Sequence, residues 1–225
     1  MIELPVALFG IPLKGVNNPL LVLFVKFDTE VVFNKNGLPN DFFKLFEEAT
    51  GFKCNISLDL KGNVPYSSKY VYLSEIYFRK AIEVCELPIR ENELWDILYM
   101  IDDSMFNSEL IRGLRTAMKL GSSILYRDTE EPISISLPIL NARFLFSFPI
   151  NFNFNYIDNS LIHLLGILPI EFVETKDFNL FQVENGLWYS IYGISIPNVK
   201  GWKLIWDLNY VTGIEIRGAE HFNNQ

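Results

Sequence analysis

The sequence is short of the residues that build metal and nucleophilic centres. It has two cysteines and two histidines. Cys54 and Cys85 form no C-x-x-C pair, and neither histidine lies near them. Zinc sites draw three or four such ligands from close spacings, so no metal centre is expected. Two isolated cysteines read instead as unpaired, buried thiols in a reducing cytoplasm. Runs of lysine and arginine are missing too. There are 19 basic against 27 acidic residues, giving a net charge of −8. A nucleic-acid surface works by displacing counterions from phosphates, so nucleic acid is not an expected partner. The longest apolar run, Pro19 to Val25, is too short to span a bilayer. The first residues carry no charged leader and no cleavage signal. The expectation is a cytoplasmic protein with no membrane partner.

What the chain does have is apolar bulk. Its 225 residues are 49% hydrophobic and include 19 Phe, 10 Tyr and 4 Trp. That is enough for a sizeable core in one large domain or two small ones. Asp128, Glu130, Glu131 and Pro132 cluster where the pattern changes. They suggest an N-terminal α+β domain over 1–130 and a C-terminal α+β domain over 131–225.

Periodicity gives the elements. Leu4 to Ile11 and Leu20 to Phe33 read as strands, with a turn over Lys14 to Pro19 between them. Pro39 to Thr50 reads as a helix closed by Gly51, and Phe52 to Leu60 alternates like a strand. A tight loop, Gly62 to Tyr72, then leads into a helix over Tyr70 to Cys85. Helices follow over Arg90 to Tyr99 and Asn107 to Leu120, separated by Asp102-Asp103-Ser104. Strands are expected over 122–127, 133–137, 143–148, 188–196 and 213–217, with 202–208 as strand or short helix. Asn151 to Tyr156 alternates polar and aromatic residues, and 158–168 reads as a helix. Strands, helices and strands again make an α+β pattern.

Several residues qualify as sites. Ser67, Ser68 and Lys69 offer two hydroxyls and a cation at a helix N-terminus, where a phosphate is favoured. A serine there also serves as a simple cap. Asp102-Asp103 reads more readily as a cap than as a shared carboxylate site, because adjacent helical residues do not face one another. Arg112 and Arg115 lie three apart on one helix and are candidates for an acidic ligand or for surface ion pairs. His163 has no acid or nucleophile beside it, and His221 lies in the tail. Phe152 to Tyr156 reads as a one-sided strand or, at a sheet edge, a dimerisation surface.

The order of these segments resembles the GHMP kinases, the family of galactokinase and of homoserine, mevalonate and archaeal pantoate kinases. Val6-Ala7-Leu8-Phe9-Gly10 is similar to that family's first strand. Val64-Pro65 followed by Ser67-Ser68 is similar to its phosphate loop with the glycines removed. Leu120-Gly121-Ser122-Ser123 and Gly186 to Gly193 are similar to a later Gly-Gly strand segment and a C-terminal glycine turn. The resemblance implies a two-layer α+β fold. Its N-terminal half would be like the second domain of ribosomal protein S5, and its C-terminal half ferredoxin-like. It also implies what is missing. Backbone N–H groups wrap nucleotide phosphates only where no Cβ blocks them, and Pro65-Tyr66-Ser67-Ser68 has no glycine. Leu114 falls where the family's catalytic aspartate would be, and Glu109 is about one helical turn away. No catalytic residue is therefore assigned.

The expected function is a GHMP-kinase-like protein without the kinase machinery, binding a small ligand, a second copy or an active paralogue. Two alternatives remain. One is a divergent small-molecule kinase holding Mg-ATP with Pro65, Ser67, Ser68 and Lys69. The other is an unrelated α+β interaction domain.

Overall fold

In the computed structural model the described residues are 1–13, 15–152 and 158–217. The expected alternation over 153–156, Lys14 of the first turn and His221 lie outside them.

The chain is α+β, with helices around one mixed sheet. Strands β1 (Ile2–Phe9) and β2 (Leu20–Phe27) form an antiparallel pair. Helix α1 is Asn40–Thr50, and the short strands β3 (Val31–Val32) and β4 (Asp59–Leu60) pair with each other. Three helices follow: α2 (Tyr66–Val84), α3 (Glu91–Met105) and α4 (Glu109–Leu120). Then come β5 (Ser123–Tyr126), β6 (Ile133–Ile135) and β7 (Leu140–Pro149). Helices α5 (Asn159–Thr175) and α6 (Leu180–Tyr192) precede the closing hairpin of β8 (Trp202–Asp207) and β9 (Tyr210–Arg217).

The main sheet runs β6-β5-β2-β7-β9-β8, with β1 on the other edge of β2. Among the described residues, only the β2–β7 pairing is parallel. Pairing crosses the 130/131 boundary twice, at β5–β6 and at β2–β7, and one apolar cluster takes residues from both sides of it.

Strand β1 shows why helices cover the sheet. Successive side chains of a strand point to opposite faces. Yet Leu4, Val6 and Leu8 are buried, and so are Ala7 and Phe9. Both faces therefore need cover. Helices α2 and α4 pack against this strand, and the Phe9 ring lies 5.1 Å from Phe172 of α5 and 5.7 Å from Phe181 of α6. Gly10 ends the strand at φ 128°, and a Cβ there would strike Leu20.

Four sequence readings are corrected. The strand expected over Phe52 to Leu60 is a ladder only at Asp59–Leu60. Upstream, the chain is held by single bonds, from Tyr77 Oη to the Cys54 carbonyl and from the Gly37 N–H to the Leu58 carbonyl. Its alternation reflects one-sided packing without a strand partner. Asp102 does not interrupt a helix, since α3 runs on to Met105 with Asp102 buried inside it. The strand expected over 188–196 and the glycine turn over 186–193 are α6 with Gly193 as its left-handed cap. Its buried face includes Phe181, Glu184, Asn185 and Trp188, and the two polar residues disguised the helical period. Finally, Cys54 and Cys85 are not free thiols but a disulfide, with Cα atoms 6.4 Å apart. It ties the α2 C-terminus to the segment before β4.

Candidate functional site

The start of α2 is the expected phosphate position, and a carboxylate of the chain itself occupies it. Asp207 is fully buried at the end of β8. Its Oδ2 accepts the Tyr66 N–H at 2.8 Å, and its Oδ1 accepts the Ser67 N–H at 2.6 Å. Thr212 of β9 donates its hydroxyl to Oδ2 at 2.8 Å. The first N–H groups of a helix have no partner within it, and the helix dipole favours negative charge there. Asp207 meets both demands. Neither Ser67 nor Ser68 caps the helix, and both are buried. Lys69 pairs with Asp59 at 2.6 Å.

The arginines of α4 separate. Arg112 is partly exposed and pairs with Asp103 at 2.7 Å and with Asp128 at 3.6 Å. Arg115 is fully buried. Its Nε donates to Asp102 Oδ2 at 2.7 Å, its Nη1 to the Val71 carbonyl at 2.8 Å, and its Nη2 to Ser74 Oγ at 2.6 Å. Tyr70 Oη donates to Asp102 Oδ1 at 2.7 Å. Burial, then the Asp102 charge, pushes the Tyr70 phenol well up and keeps it neutral. This network joins α2, α3 and α4. A second buried pair, Lys203 with Glu184, joins β8 to α6, and Glu184 also accepts the Gly10 N–H at 2.8 Å. Burial pushes the Lys203 amine down, against the pull of Glu184. Both networks are inward-facing and satisfied, the usual signature of structural polar groups.

Unused polar groups gather elsewhere. A cavity of about 460 Å³ lies where the end of β1, the α3–α4 junction and the β8–β9 turn converge. Its walls are mixed, with Ile11, Leu20, Met105, Phe106, Trp206 and Leu208 on the apolar side. Helix α4 begins there, and Ser108 stands at its N-cap position without a side-chain cap bond. Asn18, also in the wall, is 8% exposed, and its Nδ2 has no acceptor. Asn107, Asn209 and Glu109 add to the polar part. The Glu109 carboxyl is pushed up by burial and then by Asp128, with Arg112 opposing. Two wall residues, Asn107 and Leu208, hold positive φ angles of 43° and 60°. For leucine that backbone region is unfavourable, and surrounding packing must hold it there.

No family model, curated protein or solved structure matches the chain. The site therefore stands on its own geometry.

Of the residues singled out in the sequence, Glu109 and Phe152 lie in this cavity. Pro65, Ser67, Ser68 and Lys69 gather at the α2 start around Asp207, while Arg112 and Arg115 serve ion pairs. Asn18 and Asp207 were missed. The one available signal for Asp207 was a short polar break, Asp207 to Asn209, between two apolar runs, which is a hairpin pattern. Asn18 sits in a Val-Asn-Asn-Pro turn and reads as an ordinary loop residue. Among the described residues no group of three or more His, Cys, Asp and Glu could hold a metal ion, and no helix is long and apolar enough to cross a membrane.

Proposed function

We propose that this chain is a non-catalytic binding protein of GHMP-kinase-like descent that takes a small ligand in the cavity at the α4 start. The observation that carries the reading is the Asp207 carboxylate on the Tyr66 and Ser67 N–H groups. A nucleotide phosphate would have to displace a buried anion from the same donors. Further support comes from Lys69, already neutralised by Asp59, and from Leu114, which is fully buried and has no group that can take a proton. The cavity at the α4 start is the place left for a ligand.

Calorimetric titration with Mg-ATP tests the loss of kinase function. The expected result is no heat at millimolar nucleotide and no turnover with small alcohols or acids. ATP binding that disappears in Lys69→Ala would overturn the reading in favour of a divergent kinase. A fragment screen followed by backbone and side-chain amide NMR tests the cavity. Hits should move the Asn18 and Glu109 signals, and a screen with no hit there would end this part of the reading. A second copy is the partner that β7 favours, since among the described residues β2 pairs only with its Leu140–Ala142 portion. Concentration-dependent sedimentation would register it.

A further inference from the structure

Strand β7 has one edge that the described chain leaves open. Along one side, Asn141 to Pro149 pair with β9. On the other side β2 reaches only Leu140–Ala142. From Arg143 to Phe148 the outward backbone groups have no hydrogen-bond partner among the described residues. Alternate residues of a strand turn their N–H and C=O to opposite edges, so this edge carries donors and acceptors in series. After Pro149 the described chain turns to α6, where the Phe152 ring lies 6.2 Å from Trp188 and 5.2 Å from Tyr192.

An open strand edge binds another strand, and natural proteins guard such edges with charged side chains. Here that guard is missing. No residue from Phe144 to Phe152 is charged, although the whole chain carries −8. Arg143, at the start of the edge, is engaged by Glu215 at 2.9 Å. The bulge between Phe144 and Phe146 leaves Phe146 to Phe148 in regular register, and Pro149 closes the run. The Phe146 ring fills the space that a Cβ on Gly213 would need, and it stacks on the exposed Phe148 at 5.9 Å. A second copy of this chain fits such an edge. Two acidic molecules repel where acidic faces meet, and along Phe144 to Phe148 neither copy brings a charge. A twofold axis through Phe146 sets Phe144 of one copy opposite Phe148 of the other, aromatic against aromatic, with Arg143 opposite Pro149. The same edge of both molecules is used, so the assembly closes at two. The other outer strand, β6, spans only three residues and is too short for this ladder.

We infer that two copies of this chain join by antiparallel pairing of their β7 edges, Arg143 to Phe148, into one continuous sheet. The pairing satisfies the outward N–H and C=O groups and packs Phe144 against Phe148 of the second copy. It rests on the second-copy reading above, to which it adds the surface and the register, and it is independent of the cavity at the α4 start.

The test is sedimentation of the full chain over a concentration series, with amide hydrogen exchange followed by NMR in the same samples. The expected result is a monomer–dimer equilibrium with no larger species. The outward amides between Arg143 and Phe148 should exchange more slowly as the dimer fills. Phe148→Lys, confirmed folded by its melting curve, replaces a paired ring with the kind of charge that guards natural edges. It should raise the dimer dissociation constant roughly tenfold or more, since the twofold axis repeats the loss at both ends of the ladder. A chain that stays monomeric at every concentration would overturn the pairing and the second-copy reading together. A dimer whose Arg143 to Phe148 amides exchange as fast as in the monomer, and which survives Phe148→Lys, would overturn the pairing and place the second copy on another face. Open-ended assembly in place of a dimer would overturn the twofold closure. The cavity stands apart from all three results, since the fragment screen decides it.

Discussion

Asp207 acts as an N-cap from the far side of the sequence, 140 residues from Ser67. An ordinary capping residue precedes its helix directly, and sequence reading looks for it there. That is why Ser67 and Ser68 stood out and Asp207 did not. Asp207→Ala removes the acceptor of two backbone N–H groups and of the Thr212 hydroxyl, all in a buried place. The expected loss is about 2–4 kcal/mol, read from urea unfolding, since charged hydrogen bonds contribute more than neutral ones and orphaned donors add a penalty. Asn18 predicts the reverse sign. Its Nδ2 is a buried donor with no acceptor among the described residues, so Asn18→Leu should leave stability unchanged or raise it by about 1 kcal/mol in the same measurement. A large destabilisation would mean that Asn18 serves the fold. The two residues illustrate a common limit of sequence reading. Polarity and burial conflict at both, and only tertiary placement says which groups are satisfied.

At the level of elements, α1, α2 and α4 were legible, although α2 buries Ser67, Ser68 and Ser74 and α4 buries Arg115. Two other helices were misread in whole or in part. Helix α6 hides Glu184 and Asn185, and α3 hides Asp102, which was taken for a break. Arg115 is the keystone of the packing of α2, α3 and α4. It reaches Asp102 on α3 and both Val71 and Ser74 on α2. Arg115→Met strands a buried carboxylate and should lower stability by about 3–5 kcal/mol. Replacing both partners, as Arg115→Met with Asp102→Leu, should be less harmful than the sum of the single changes. A double-mutant cycle in denaturant measures the difference, and strict additivity would show that the pair is not coupled. The GHMP-kinase resemblance, drawn from the order of short segments, included a glycine turn at 186–193, and that stretch is helix.

For the molecule as a whole, the α+β class and most strand positions were legible in local periodicity. The pairing that links the two halves was not, because non-local partners leave no mark in that periodicity. The parallel β2–β7 contact and the disulfide are both of that kind. The Cys54–Cys85 bond closes a loop of 31 residues. In the chain-entropy account, a loop of that length is worth about 3–4 kcal/mol. Cys54→Ala with Cys85→Ala should lose about that much and melt at a lower temperature, while reductant should shift the wild-type chain alone. Equal melting of both proteins in oxidising buffer would show that the bond adds nothing. The position of Asp207 has a consequence in time as well as in space. A ribosome releases α2 long before the β8–β9 hairpin, so the helix leaves the tunnel with its first amides bare. Helix start, cavity wall and the β7 partner strand are all completed by the same late hairpin. The nascent chain therefore reaches its final arrangement as a late, cooperative event and not by the N-terminal half maturing first.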